Sequence, residues 1–145
     1  MTRAVVDTHV LVSGIIAPHG APRRILEAWH ADQFTLVTSE PIVAEVARVL
    51  RDPRIRDRYS LTEDDVATVV DSLRTDKVVA GLYEVQRSVD PADDMFLACA
   101  LEGLAKYVVS GDRHLLEIGS YHDVLVVTPR HFAALLAAEN GSVLP

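Results

Sequence analysis

The sequence predicts an α/β domain of three layers, in which helices cover both faces of a central parallel sheet of four or five strands. Three observations support this prediction: short β-branched segments typical of buried strands, amphipathic helices, and their alternation along all 145 residues. Such alternation favours parallel strands joined by crossover helices. With 49% hydrophobic residues the chain can bury a core, so we expect one domain over residues 1–145.

The first half of the chain contains two predicted strands, at residues 3–6 and 35–38. Predicted helices occupy residues 9–16, 23–30 and 40–50. Ser39 is a suitable N-cap for the third helix, and Asp52-Pro53 ends it. A fourth helix is expected to begin at a capping box formed by Thr62 and Asp65.

The second half continues the alternation, with predicted strands within residues 77–85 and at 107–110 and 123–127. Asp90-Pro91 marks a turn, and Pro129 is expected to start a C-terminal helix. Between them, a helix that runs to about residue 104 is expected to bury Phe96, Leu97, Ala100, Leu101 and Leu104.

Composition bounds the class of protein. No stretch is apolar for the roughly 20 residues that span a membrane, and the N-terminus lacks a signal-peptide core, so we expect a cytoplasmic protein without a membrane partner. The single cysteine, Cys99, is expected in the core. The net charge of -7 argues weakly against nucleic acid as a partner, although a carboxylate site that binds a cation would soften this.

Two acidic residues come directly after predicted strands. Asp7 follows the first strand, and Asp112 follows the strand at 107–110. In open parallel sheets, sites form beyond the carboxyl ends of the strands, so both carboxylates are expected at the same edge. An acid in this position is also a common turn residue or helix cap, and that interpretation stays open for each residue alone.

Two further acids are selected by helical phase. At about 100° per residue, Glu45 falls just beside the apolar stripe of its helix, at the rim of the buried face. Asp93 falls inside the apolar stripe of the helix predicted to follow Asp90-Pro91. Asp94 falls outside that stripe and is expected to face solvent. An inward-facing acid is costly unless it is paired or metal-bound. The alternatives are an ordinary boundary residue for Glu45 and a helix-start residue for Asp93.

Carboxylates that converge on one point repel each other, and a bound cation removes that repulsion. Hard cations such as Mg²⁺ and Mn²⁺ prefer oxygen ligands. A metal held in this way can activate water and neutralise charge on a phosphodiester, so phosphodiester hydrolysis is the natural chemistry. The predicted metal-binding and catalytic residues are Asp7, Glu45, Asp93 and Asp112.

The acids lie within four short segments: 5–13 (VVDTHVLVS), 44–46 (AEV), 90–100 (DPADDMFLACA) and 108–116 (VVSGDRHLL). Together these segments resemble the PIN-domain family, in particular its single-domain prokaryotic toxins related to VapC. The resemblance spans nearly the whole chain and keeps the four acids in order. It implies a Mg²⁺- or Mn²⁺-dependent ribonuclease with these acids around the metal, a homodimer and, for toxin members, inhibition by a small antitoxin that occupies the site.

Two positions depart from the family pattern. Family members usually have Asn where this chain has His9, and often a further acid where it has His114. An imidazole could orient an acid or a water, or bind a softer metal such as Zn²⁺; the alternative is a tolerated polar substitution. We treat four residues as accessory candidates: His9, Ser110, Asp94 and His114.

Positive charge is concentrated in one short segment. Its arginines are the predicted RNA-binding residues: Arg48, Arg51, Arg54, Arg56 and Arg58. Their density in an otherwise acidic chain favours phosphate contacts. Replacing such a contact is expected to weaken binding of all RNA sequences alike.

Three other classes fit less well. A phosphatase of the haloacid dehalogenase type would have a second Asp at the position of His9, and a phosphoacceptor receiver domain would have a Lys where Thr128-Pro129-Arg130 follows the last strand. A catalytically weak module that docks RNA or a protein on the same fold remains the alternative to the nuclease, because His9 and His114 depart from the family pattern.

Overall fold

A six-stranded sheet forms the centre of the molecule. A computed structural model of the chain describes residues 1–81 and 91–141. The strands are β1 (Arg3–Val6), β2 (Thr35–Ser39), β3 (Lys77–Val79), β4 (Tyr107–Val109), β5 (Ser120–Tyr121) and β6 (Val124–Val127). They lie in the order β3-β2-β1-β4-β6-β5. All neighbours among these strands are parallel except β5 and β6.

The mostly parallel sheet confirms the predicted fold class and adds one strand to it. The prediction of four or five strands missed β5, a two-residue strand that pairs antiparallel with β6. The turn between them places His122 and Asp123 at φ of 46° and 67°, a left-handed conformation that is uncommon in residues other than glycine. Asp123 therefore lies in this turn and not in the last strand, where it was predicted. The predicted turn at residue 90 and positions 82–85 of the predicted third strand lie outside the described residues.

Eight helices are described. They are α1 (Thr8–Ile16), α2 (Ala21–His30), α3 (Glu40–Arg51), α4 (Pro53–Arg56), α5 (Glu63–Leu73), α6 (Pro91–Glu102), α7 (Arg113–Ile118) and α8 (Pro129–Glu139). The predicted caps are confirmed: the Ser39 side chain accepts a hydrogen bond from Ile42 N–H, and Thr62 and Asp65 form a capping box. Within the described ranges, no helix is long and apolar enough to cross a bilayer.

The core lies between the central strands and the helices on either face. Val5, Val6, Val108 and Val109 are at most 1% exposed, as expected for strands that are covered on both sides. Helix α6 packs against β1, β2, β4 and β6, so it crosses most of the sheet.

Helix α6 departs from the predicted one-sided stripe. All residues from Phe96 to Ala100 are buried, and burial raises the pKa of the Cys99 thiol to about 12, so Cys99 is in the core as predicted. The predicted burial of Leu104 is wrong, because the helix ends at Glu102 and Leu104 follows at a φ of 56° with 75% of its surface exposed.

Candidate functional site

The pairing of β1 with β4 brings two acidic residues to one edge of the sheet. The strands are parallel, with Val6 opposite Val109, and the backbone N–H of Asp7 continues the pairing by donating to the Val109 carbonyl at 3.0 Å. Asp7 follows β1 directly, and Asp112 lies three residues beyond the end of β4. The two acids therefore share the carboxyl edge of the sheet, as predicted.

Ser110 connects these two acidic positions. Its hydroxyl donates a short hydrogen bond to Asp7 Oδ2 and accepts one from the backbone N–H of Asp112, with an N–O distance of 2.9 Å. Its side chain is fully buried, and its bond to Asp7 is buried as well, so water does not readily replace that bond. Ser110, named from the sequence only as an accessory candidate, is therefore the bridge that fixes the two positions relative to each other.

Both acids also cap helices, which fixes their carboxylate groups. Asp7 Oδ1 accepts a hydrogen bond from Val10 N–H at 2.8 Å at the start of α1. Asp112 Oδ1 accepts hydrogen bonds from the N–H groups of His114 and Leu115 at 2.7 and 3.2 Å at the start of α7. Capping and metal binding are compatible, because each carboxylate oxygen has two lone pairs.

Burial makes the charged form of Asp7 unfavourable. The residue is 3% exposed, and this burial raises the pKa of its carboxyl group above the ordinary value of 3.8. Hydrogen bonds from Ser110 and Val10 lower the pKa, as does the nearby His9, whereas the charge of Asp112 raises it. A cation near both carboxylates would counteract the repulsion between them.

The two acids open into one cavity of about 360 Å³. The starts of α1, α2, α7 and α8 border it, with His9, Pro22 and Pro129 among the lining residues. Helix α2 begins after Gly20 at a φ of 106°, a conformation that favours glycine, and no side chain caps it. Because Pro22 has no N–H and the Arg24 N–H donates to the Gly20 carbonyl, the N–H groups of Ala21 and Arg23 are the donors at this helix start that remain for an anion.

The other two predicted ligands do not line this cavity. Glu45 is half-buried on α3, and Asp93 is half-buried near the start of α6. Across residues 1–81 and 91–141, no three His, Cys, Asp or Glu side chains are close enough together to hold a metal ion. The expectation that Asp94 faces solvent is wrong, since Asp94 is 7% exposed in a helix that is buried nearly all round.

The two histidines at the unusual positions differ in their relation to the cavity. His9 is exposed, lines the cavity and lies close enough to Asp7 to influence its pKa. His114 is also exposed, and its backbone N–H contacts Asp112. His9 is therefore the better placed of the two to interact with a group bound in the cavity.

The arginine-rich segment is largely neutralised by its own carboxylates. Residues 48–65 contain five arginines and five acids. Arg51, Arg54 and Arg56 form ion pairs with N–O distances of 3.0 to 3.2 Å. Arg58 stacks over the Tyr59 ring at 5.6 Å. RNA binding by this segment remains a prediction, and the local pairing leaves it less free positive charge than its density suggests.

The carboxylate pair fits a hard divalent cation. Asp7 and Asp112 supply oxygen ligands, which Mg²⁺ and Mn²⁺ prefer, and Mg²⁺ is often bound through one or two carboxylates with water completing the shell. The influence of Asp112 on the pKa of Asp7 indicates that the two charges interact. The donor set thus suits the metal that the sequence predicts.

Two comparisons with known proteins found matches to this chain. A family model described as "PIN domain" matches residues 3–114, a range that includes the edge formed by Asp7 and Asp112. The chain is also 25% identical over 132 residues to "Uncharacterized protein MJ1680" of Methanocaldococcus jannaschii, covering 89% of this chain and 83% of that protein.

Proposed function

Because the chain belongs to the PIN-domain family, whose members are generally nucleases, we propose that it is a metal-dependent endoribonuclease that hydrolyses RNA phosphodiester bonds. One observation carries the proposal: Asp7 and Asp112, connected by the buried Ser110, meet at the carboxyl edge of the sheet and open into one cavity. A buried carboxylate with a raised pKa in such a cavity is a frequent mark of a functional site.

In this proposal Asp7 and Asp112 hold Mg²⁺ or Mn²⁺. Glu45 and Asp93, which do not line the cavity, are proposed as further ligands on the family resemblance alone. When bound, the ion supplies an activated water and neutralises charge on the phosphodiester. Ser110 holds the Asp7 carboxylate in one orientation by its hydrogen bond to Oδ2. The uncapped start of α2 offers backbone N–H groups to a phosphate of the substrate.

The experiment measures cleavage of a fluorescent RNA oligonucleotide with Mg²⁺, Mn²⁺ or excess EDTA. Asp7→Asn and Asp112→Asn are expected to lower kcat/KM at least about a hundredfold, as expected when a metal ligand is lost. Asp52→Asn is the matched control, because Asp52 also caps a helix but does not line the cavity. Full activity in EDTA, or full activity of Asp7→Asn, would contradict the proposal.

A second candidate function is supported by the small number of acids around the cavity. Among the described lining residues, Asp7 and Asp112 are the carboxylates, and His9 stands where Asn is usual in the family. A module that binds RNA or a protein with little catalysis fits this arrangement. RNA binding by the wild-type protein without turnover in Mn²⁺ would favour it over the nuclease.

For the cellular role, we propose the toxin component of a toxin–antitoxin system, acting as a homodimer in the cytoplasm. The support is the family membership. A short open reading frame beside the gene is expected to encode a small protein that binds the chain and blocks cleavage. Light scattering is expected to give twice the mass of one chain, and a monomeric mass at high concentration would contradict the dimer.

A further inference from the structure

A groove runs between α2 and α8 beside the carboxylate cavity. It has a volume of about 320 Å³, and Arg24 and Arg130 are among its walls. Pro22, two residues before Arg24 on α2, lines the carboxylate cavity, as does Pro129, which directly precedes Arg130 on α8. Two residues of helix rise only about 3 Å, so the groove begins within one helical turn of the cavity on both helices.

The two arginines of this groove are available for a ligand. Both side chains belong to exposed residues, and neither forms an ion pair with any residue in the described ranges. In contrast, Arg54 and Arg56 are each paired with a neighbouring carboxylate. Two unneutralised guanidinium groups on facing helices are a complement to phosphate in a chain whose net charge is -7.

The floor of the groove is apolar and made mostly of small residues. Ala133, Leu136 and Ala137 lie along α8 at helical spacing, and the half-buried Gln33 stands at the wall. Small side chains leave a surface on which a planar group can rest. The amide of Gln33 can both donate and accept a hydrogen bond, as the edge of a base requires.

We propose that the α2–α8 groove binds the single-stranded RNA next to the scissile phosphodiester, with Arg24 and Arg130 on backbone phosphates and an unstacked base over the alanine floor. This inference rests on the proposed ribonuclease function and adds the path of the substrate. A single strand is required because only unstacked bases can lie on an apolar surface. The arginines act on binding and not on the chemical step.

The test compares wild type with the double variant Arg24→Gln/Arg130→Gln on a trinucleotide and on an RNA of about 12 nucleotides, a length within the range of single-strand sites. For the longer RNA, KM is expected to rise about a hundredfold with kcat unchanged, since each of the two lost charged hydrogen bonds is worth about a factor of ten. The trinucleotide should be little affected. The slope of log Kd against log salt should become shallower by about 1.4, for two phosphate contacts on a single strand.

Two further variants serve as controls. Arg74→Gln removes a guanidinium that is already paired with Glu40 and that lines neither the cavity nor the groove, so it is expected to leave both KM and the salt slope unchanged. Arg24→Lys/Arg130→Lys keeps the charge and is expected to retain most of the salt slope, which separates phosphate contact from a change in folding.

Two results would overturn the groove. An unchanged KM and salt slope in the Gln double variant, while cleavage still depends on Asp7, would refute the groove and leave the nuclease standing. Absence of both RNA binding and metal-dependent cleavage in the wild type would refute the nuclease and the groove together.

Discussion

The buried hydroxyl of Ser110 is the most informative single group to remove. In Ser110→Ala, Asp7 Oδ2 loses its donor and the backbone N–H of Asp112 loses its acceptor. Solvent cannot readily replace the bond to Asp7, because the Ser110 side chain is fully buried and Asp7 is 3% exposed. The Asp112 N–H lies at a part-buried position. The variant therefore tests whether the connection between the two acids is real.

The expected cost follows from the two lost bonds. A hydrogen bond to a charged group contributes about 1.5–3 kcal/mol, and a backbone bond about 1 kcal/mol, so the free energy of unfolding should fall by about 3 kcal/mol at pH 7.5. For a chain of this size, that corresponds to a melting temperature lower by roughly 10 °C. If the nuclease proposal holds, kcat/KM should fall as well, because Asp7 is no longer held in one orientation.

The cost should also depend on pH. Burial holds the pKa of Asp7 above its ordinary value, and the hydrogen bond from Ser110 lowers it, so the variant raises this pKa further. Because the pKa of Asp7 is higher in the folded state, protonation of this carboxyl stabilises the fold. This stabilisation is fully present below about pH 4 and is lost as the pH rises through the folded-state pKa. Ser110→Ala should therefore lower the free energy of unfolding less near pH 4, where a larger fraction of Asp7 is protonated, than at pH 7.5.

Urea denaturation in EDTA at both pH values measures these differences for the metal-free protein. Ser13→Ala is the matched control, since Ser13 lines the same cavity but is exposed, and it should change stability by less than about 0.5 kcal/mol. A loss in Ser110→Ala as small as that of the control would refute the reasoning.

Further substitutions test the site and the packing. Asp93→Asn should abolish cleavage, whereas Asp94→Asn should keep activity. Because Asp94 is buried, Asp94→Asn should lower the free energy of unfolding by about 1 kcal/mol. An inactive, stable Asp94→Asn beside an active Asp93→Asn would reverse the assignment. Gly103→Ala should lower the free energy of unfolding by about 1–3 kcal/mol, because the added Cβ would lie 2.3 Å from a methyl carbon of Val37. Gly111→Ala should not destabilise the fold, because no atom lies within 4 Å of the added Cβ. Equal melting temperatures of the two variants would contradict this packing argument.

The strands and the two acids that follow them could be predicted because their environment is simple. A strand buried on both faces needs an uninterrupted apolar run, such as Val5-Val6 or Val108-Val109, and the residue after it lies at the sheet edge. The bridge through Ser110 could not be predicted, because it depends on the register between β1 and β4, which pairs Val6 with Val109.

The prediction from helical phase that Asp94 faces solvent was wrong for a physical reason. The wheel argument assumes that one face of a helix meets the core and the opposite face meets water. Helix α6 packs against four strands and is buried from Phe96 to Ala100 without a gap, so position on the wheel does not separate Asp93 from Asp94. The sequence signal was the continuous apolar run Phe96 to Ala100, which is typical of a helix buried on all sides.

The pairing of the arginines also depends on the fold and not only on the sequence. Density along the chain selected the segment around Arg54 and Arg56, where each arginine has a carboxylate beside it in sequence and pairs with it in the fold. Arg24 and Arg130 lie far apart in sequence and become neighbours only because α2 packs against α8. What attracts a phosphate is charge that the fold leaves unneutralised, and this depends on which helices meet. For an acidic chain, arginines that the fold leaves without an ion pair among the described residues are therefore candidates for RNA contacts alongside the arginines that cluster in sequence.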